Sequence, residues 1–185
     1  MSSAVPCHST SPLALKTGVI ISALLAALVV VTGCNPFAPA LEEGDPFGDF
    51  LGDPTTVEGF FTNFRNAYEL RDISLYEPLL DSSFVFSYYD FDEQVEREWG
   101  FAQDLESTRR LFDNSNLIRL QWNQIISRDE FERGLSERVV RSFNLTISLE
   151  SGEVFRGDGN VNFSMLRPDT TVSWKLVRWR DESEF

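Results

Sequence analysis

The sequence predicts an α+β domain: helices packed on an antiparallel sheet, behind an N-terminal leader and a flexible connection. Two observations carry this. Apolar residues recur at spacings of three and four just after residue 56, and beyond residue 115 the spacing changes to two. Helices first and an antiparallel meander with one apolar face afterwards is the pattern of an α+β fold.

The leader comes first in the chain. Residues 1–16 carry one base, Lys16, and no acid, and residues 18–31 are almost purely apolar. As a helix that run is roughly 21 Å long against a hydrocarbon core of about 30 Å, too short to span comfortably but suited to the apolar region of a signal peptide. It ends in Val31-Thr32-Gly33-Cys34, which resembles the lipobox of bacterial lipoproteins. Small side chains admit a peptidase at the membrane surface, and the Cys34 thiol is the nucleophile that takes a diacylglyceryl group. The resemblance implies cleavage before Cys34, acyl lipid on Cys34 as the only covalent group and no other cofactor. An uncleaved N-terminal anchor helix, or a secreted protein with Cys34 free, are the competing readings. Asn35, not aspartate, follows the cysteine. Under the enterobacterial sorting rule this points to the outer membrane, on the extracytoplasmic side.

Composition narrows the function. Cys7 and His8 lie in the leader, so the mature chain has no disulfide and no imidazole for general-base work or zinc. All 29 acids but only 15 of the 16 bases follow Cys34, leaving the mature chain at −14. Such a surface repels phosphate backbones and anionic headgroups, so nucleic acid is excluded as a partner and the membrane is reached through lipid. Residues 34–56 mix Pro36, Pro39, Pro46 and Pro54 with Gly44, Gly48, Gly52 and acids, the composition of a tether. Its phenylalanines, Phe37 with Phe47 and Phe50 beside Leu51, read as loosely packed linker aromatics. The domain is expected over 57–185.

Val57, Phe60, Phe61, Phe64, Ala67 and Tyr68 form one helical stripe, ended by Arg71-Asp72. Ser74-x-x-Glu77 reads as a capping box for a short second helix, with Pro78 in its first turn. Residues 84–89 read as a strand, and 95–112 as a third helix with Trp99, Ala102, Leu105, Thr108 and Phe112 near one face. Alternation then gives strands around 118–122, 139–149, 155–165 and 172–178, the last with Val172, Trp174, Leu176 and Arg178 in one row. Residues 150–153 and 167–170 are the turns.

The residues Phe64-x-x-Ala67-Tyr68 with Arg71-Asp72, Leu79-Leu80-Asp81-x-x-Phe84-x-Phe86, Phe155-x-Gly157-x-Gly159 and the closing 174–181 segment resemble the nuclear transport factor two-like, or cystatin-like cone, superfamily over about 57–182. The resemblance implies a sheet curled into a cone-shaped pocket. Members include ketosteroid isomerase, polyketide cyclases of the SnoaL type, dehydratases, and domains that only bind or dimerise. Dimerisation there commonly uses the outer sheet face, which here carries Arg, Asn, Ser and Thr, so a monomer or weak homodimer is expected.

Several side chains are weighed as sites. Tyr68 with Asp90, or with Asp92, is weighed as an isomerase-like tyrosine and carboxylate base, though no motif fixes them in register; the stronger reading of Tyr68 is half-buried core. Arg141 falls on the apolar face, where it would anchor a ligand carboxylate; the preferred reading is a snorkelling arginine, or one paired with an acid of the third helix. Trp99, Trp122, Trp174 and Trp179 would line a cleft or fill the core, with Trp122 the ligand-binding choice. Gly157-Asp158-Gly159-Asn160 resembles part of a calcium loop but is read as a strand kink or bulge. The leading expectation is a lipid-anchored, non-catalytic binding or scaffold domain for a small apolar or anionic ligand or an envelope protein partner; the alternative is an isomerase- or cyclase-like enzyme.

Overall fold

The computed structural model describes residues 50–182, all within one compact unit, Asp45–Phe185. The leader, Cys34 and most of the expected tether lie outside the described residues. Among the described residues no helix is long and apolar enough to cross a membrane.

Helix α1, Val57–Leu70, begins at Thr56, whose hydroxyl accepts the Gly59 N–H at 3.0 Å. It ends at Arg71 in the left-handed conformation, with its N–H on the Ala67 and Tyr68 carbonyls. The predicted stripe is the buried face. The next helix, α2 (Ile73–Tyr76), is capped two residues earlier than the expected Ser74–Glu77 box. Asp72 is extended after the Arg71 turn, and its Oδ1 accepts the Ser74 N–H at 2.8 Å. Pro78 sits in the following 3-10 turn, Glu77–Leu79.

Strand β1 is Leu80–Asp90 and β2 is Val95–Gly100. The second of these corrects the expected start of the third helix. Residues 95–100 pair antiparallel with β1, from Asp90 opposite Val95 to Val85 opposite Gly100. Gln94, with φ +57°, turns the chain between them. Trp99 lies opposite Phe86 and stacks on it with ring centroids 4.3 Å apart, a cross-strand contact that outweighs its helical spacing from Ala102 and Leu105. Helix α3 therefore begins only at Phe101 and runs Phe101–Asp113, burying Asp104, Leu105, Thr108 and Phe112. Ala102, expected on that face, is exposed.

Strands β3 (Ser115–Phe131), β4 (Ser136–Leu149), β5 (Val154–Leu166) and β6 (Lys175–Asp181) form the expected antiparallel meander. The sheet order is β2-β1-β6-β5-β4-β3. Because β1 joins the meander by parallel pairing with β6, the curved sheet is mixed rather than wholly antiparallel. Two register irregularities between Trp122 and Ser127 break the alternation of β3, which is why its second half does not stand out in the sequence.

A further irregularity corrects the last strand. Ser164 faces Arg178 while Met165 faces Leu176, so Val177 is an extra residue. Leu176 and Trp179 both turn into the core and Arg178 turns out. Val172 precedes the strand and is exposed, as is Phe155 beside the β4–β5 turn. The Gly157–Asn160 motif is not a bulge: its pairing with β4 is regular throughout.

Residues 50–56, the end of the expected tether, are fastened to α1. The Asn63 side chain accepts the Gly52 N–H at 2.8 Å and donates to the Gly52 carbonyl at 2.9 Å, and Asn66 donates to the Phe50 carbonyl at 2.7 Å. The approach needs glycine, because a Cβ on Gly59 would lie 1.8 Å from the Asp53 carbonyl oxygen. The Pro54 carbonyl also accepts the Trp174 N–H at 3.0 Å.

Candidate functional site

The apolar face of α1, the buried face of α3 and the inner face of the sheet do not meet completely. They leave a cavity of about 290 Å³, at the lower end of the range of about 300–1,000 Å³ for small-molecule sites. Its rings come from six elements: Phe64 and Tyr68 on α1, Phe86 on β1, Trp99 on β2, Trp122 on β3, Phe143 on β4 and Trp179 on β6. Leu120, Leu145 and Val161 complete the apolar wall, and Gly157, without a side chain, leaves room beside Leu145, its partner across the sheet. The inward turn of Trp179, made possible by the extra Val177, therefore supplies part of the site.

One wall is polar. Asp104, on the first turn of α3, is 4% exposed. Its Oδ1 accepts the indole N–H of Trp99 at 3.0 Å and its Oδ2 accepts the Tyr76 hydroxyl at 2.8 Å. The Tyr68 phenol interacts with Tyr76 and with Thr108, one helical turn beyond Asp104. Burial raises the Asp104 carboxyl above the ordinary aspartate range, against the opposing pull of the Trp99 and Tyr76 hydrogen bonds. Burial likewise raises both phenols, with the nearby Asp104 charge adding to the rise in each and the Tyr68 phenol adding to that of Tyr76. Trp179 Nε1 is buried without a hydrogen-bond partner.

The sequence-derived residues fall in different places. Tyr68 lies on the cavity wall and within the polar cluster, packed on Phe64 at 4.9 Å. Asp90 does not join it. It ends β1 at the far hairpin, accepts the Glu93 N–H at 3.0 Å and pairs with Arg97 at 3.6 Å. Trp122 lines the cavity, its indole donating to the Phe61 carbonyl at 2.8 Å. Arg141 lies outside the lining. Its Nη1 is 2.8 Å from Glu58 Oε2, its Nε donates to the Asn123 carbonyl at 3.1 Å, and its guanidinium lies 4.8 Å from the Phe61 ring centre. It is thus an ion-paired arginine, but the acid belongs to α1, not to the third helix. Trp99 and Trp179 line the cavity, whereas Trp174 is buried beneath the Arg167 guanidinium at 4.1 Å.

Asp104 is the residue that sequence reasoning missed. Its signal was present: an acid one turn before Thr108, beside Leu105, on the stripe that ends at Phe112. Its ionisation makes a measurable prediction. With a raised pKa in the folded state, Asp104 holds its proton more tightly folded than unfolded. Between the ordinary aspartate value and the raised one, stability therefore falls as pH rises; below that window the contribution is complete, above it lost. Urea titrations of the wild type and Asp104→Asn across that window are expected to show the difference, wild type minus variant, declining with rising pH. A difference independent of pH would contradict this.

No family sequence model and no curated protein sequence matches the chain. Solved structures do match it. A Novosphingobium aromaticivorans protein provisionally assigned as an aromatic ring hydroxylase is 15% identical with a TM-score of 0.58, over 72% of this chain and 90% of its own. An NTF2-like superfamily protein from Salmonella enterica is 12% identical with a TM-score of 0.55, over 68% and 87%. A provisionally assigned scytalone dehydratase from Novosphingobium aromaticivorans is 11% identical with a TM-score of 0.56, over 70% and 82%. The domain has the nuclear transport factor two-like fold. At these identities the likeness defines the fold alone.

Proposed function

We propose that the chain is a lipid-anchored cell-envelope protein whose cone-shaped domain holds a small, mainly apolar molecule without converting it. The observation supporting this is the cavity: rings from six elements surround it, and each Asp104 oxygen already takes a hydrogen bond, from Trp99 or from Tyr76. Lipid on Cys34 is proposed from the lipobox pattern, with the outer membrane as destination. Ser107 lines the cavity from an exposed position on α3, so Ser107→Trp is expected to block entry with little cost to folding. Tryptophan fluorescence titration with bicyclic aromatic compounds should give saturable binding to the wild type and at least about a tenfold loss in the variant. Equal binding by both proteins would rule out this cavity as the ligand site.

One observation favours a catalytic second reading. A buried carboxylate of raised proton affinity beside two tyrosines is the kind of group that moves protons at an apolar site. Under that reading Asp104 removes a proton next to a carbonyl, and the protein would accelerate deuterium uptake from D₂O into bicyclic ketones. Proton NMR is expected to show no acceleration for a binding protein. Exchange that Asp104→Asn abolishes would replace the binding reading with the enzymatic one.

A further inference from the structure

The charge on the cavity wall has one sign. Asp104 and Asp181 line it, while no Arg, Lys or His does. Both oxygens of Asp104 are hydrogen-bonded, Oδ1 to the Trp99 indole N–H and Oδ2 to the Tyr76 hydroxyl. A carboxylate has about four acceptor positions, of which these two donors occupy two. Around it the rings are closely set, Phe86 stacked on Trp99 at 4.3 Å and Phe64 on Tyr68 at 4.9 Å. Ring faces carry negative potential and attract cations. An anionic group entering here would meet Asp104 with no counter-charge on the wall. Arg141, the arginine the sequence offered for an anion, is held by Glu58 elsewhere.

We infer that the cavity selects a small organic cation, an amine or ammonium on an apolar ring-sized body, with its charge against Asp104 and its body among Phe86, Trp99 and Trp179. The inference rests on the reading of this cavity as a ligand-binding site. A cation there is favoured twice, by the carboxylate at one end and by the ring faces along the sides, and the apolar body fills the remainder. Burial of Asp104 acts in the same direction, because an arriving cation replaces the solvation that the carboxylate has lost. The strongly acidic composition of the whole chain adds a long-range attraction of the same sign.

The test uses the full-length chain in neutral detergent, with protein-free detergent as the blank. Three probes of closely similar shape are titrated calorimetrically at neutral pH: 1-naphthylmethylamine, 1-naphthylmethanol and 1-naphthoate. The amine is expected to bind at least about tenfold more tightly than the alcohol, and naphthoate more weakly than either. Asp104→Asn is expected to bring the amine to the alcohol's affinity while leaving the alcohol nearly unchanged. If that variant fails to fold, the wild-type ranking decides by itself. Alcohol or naphthoate binding as tightly as the amine overturns the charge preference and leaves the ligand-binding reading intact. Failure of all three probes to bind overturns both.

Discussion

Phe64→Ala is expected to destabilise the domain by about 3–5 kcal/mol. Phe64 is 1% exposed and stands where α1 meets the sheet. Its ring centre lies 5.3 Å from Phe163, 5.6 Å from both Tyr76 and Trp179, and 5.7 Å from Trp122. These neighbours come from α2, β5, β6 and β3, so no single element can move in to fill the space. The substitution also enlarges a cavity that already lies against this ring. A loss at the upper end of the range is therefore expected, because collapse, which lowers the cost of truncation elsewhere, would have to displace several elements together. Urea denaturation followed by tryptophan fluorescence measures it, and a loss under about 1 kcal/mol would show that the ring cluster is looser than its distances imply.

Cys34→Ser has the largest expected effect outside the core. The proposed anchor places a diacylglyceryl thioether on this sulfur, and two acyl chains hold a protein stably where one exchanges. Serine cannot make the thioether. The variant is expected to lose all incorporation of an alkyne-labelled fatty acid and to accumulate as a precursor retaining residues 1–33. Whole-protein mass spectrometry of the membrane and soluble fractions reads both outcomes. A wild type without the label, or a variant with unchanged mass and label, would remove the lipid anchor from the functional reading.

The helical stripe of α1 and the two-residue period of the meander were legible because each buries one continuous face. What escaped was decided by partners distant in the chain. Trp99 fits a helix by spacing, yet its opposition to Phe86 places it on a strand. Trp179 lies out of step with Leu176, and only the extra Val177 returns it to the core. Tyr68 and Trp122 lie on the cavity wall because aromatic residues on an apolar stripe face inward. Asp104 was not legible, since a lone acid on a helix reads as solvated until the indole of Trp99 and the hydroxyl of Tyr76 are seen to enclose it. Arg141 and Asp90 were plausible by face and position, but each is engaged by a charge that periodicity does not locate.

The fastening of residues 50–56 onto α1 has a mechanical consequence if the chain hangs from lipid at Cys34. The chain from Cys34 to Phe50 could then reach at most about 55 Å if fully extended. Any pull between membrane and domain arrives first at the paired Gly52–Asn63 hydrogen bonds and the Asn66–Phe50 bond. Such a clasp can peel away under load and pay out a few more residues of slack before α1 itself is strained. The cavity side chains of α1, Phe64 and Tyr68, take no part in that clasp.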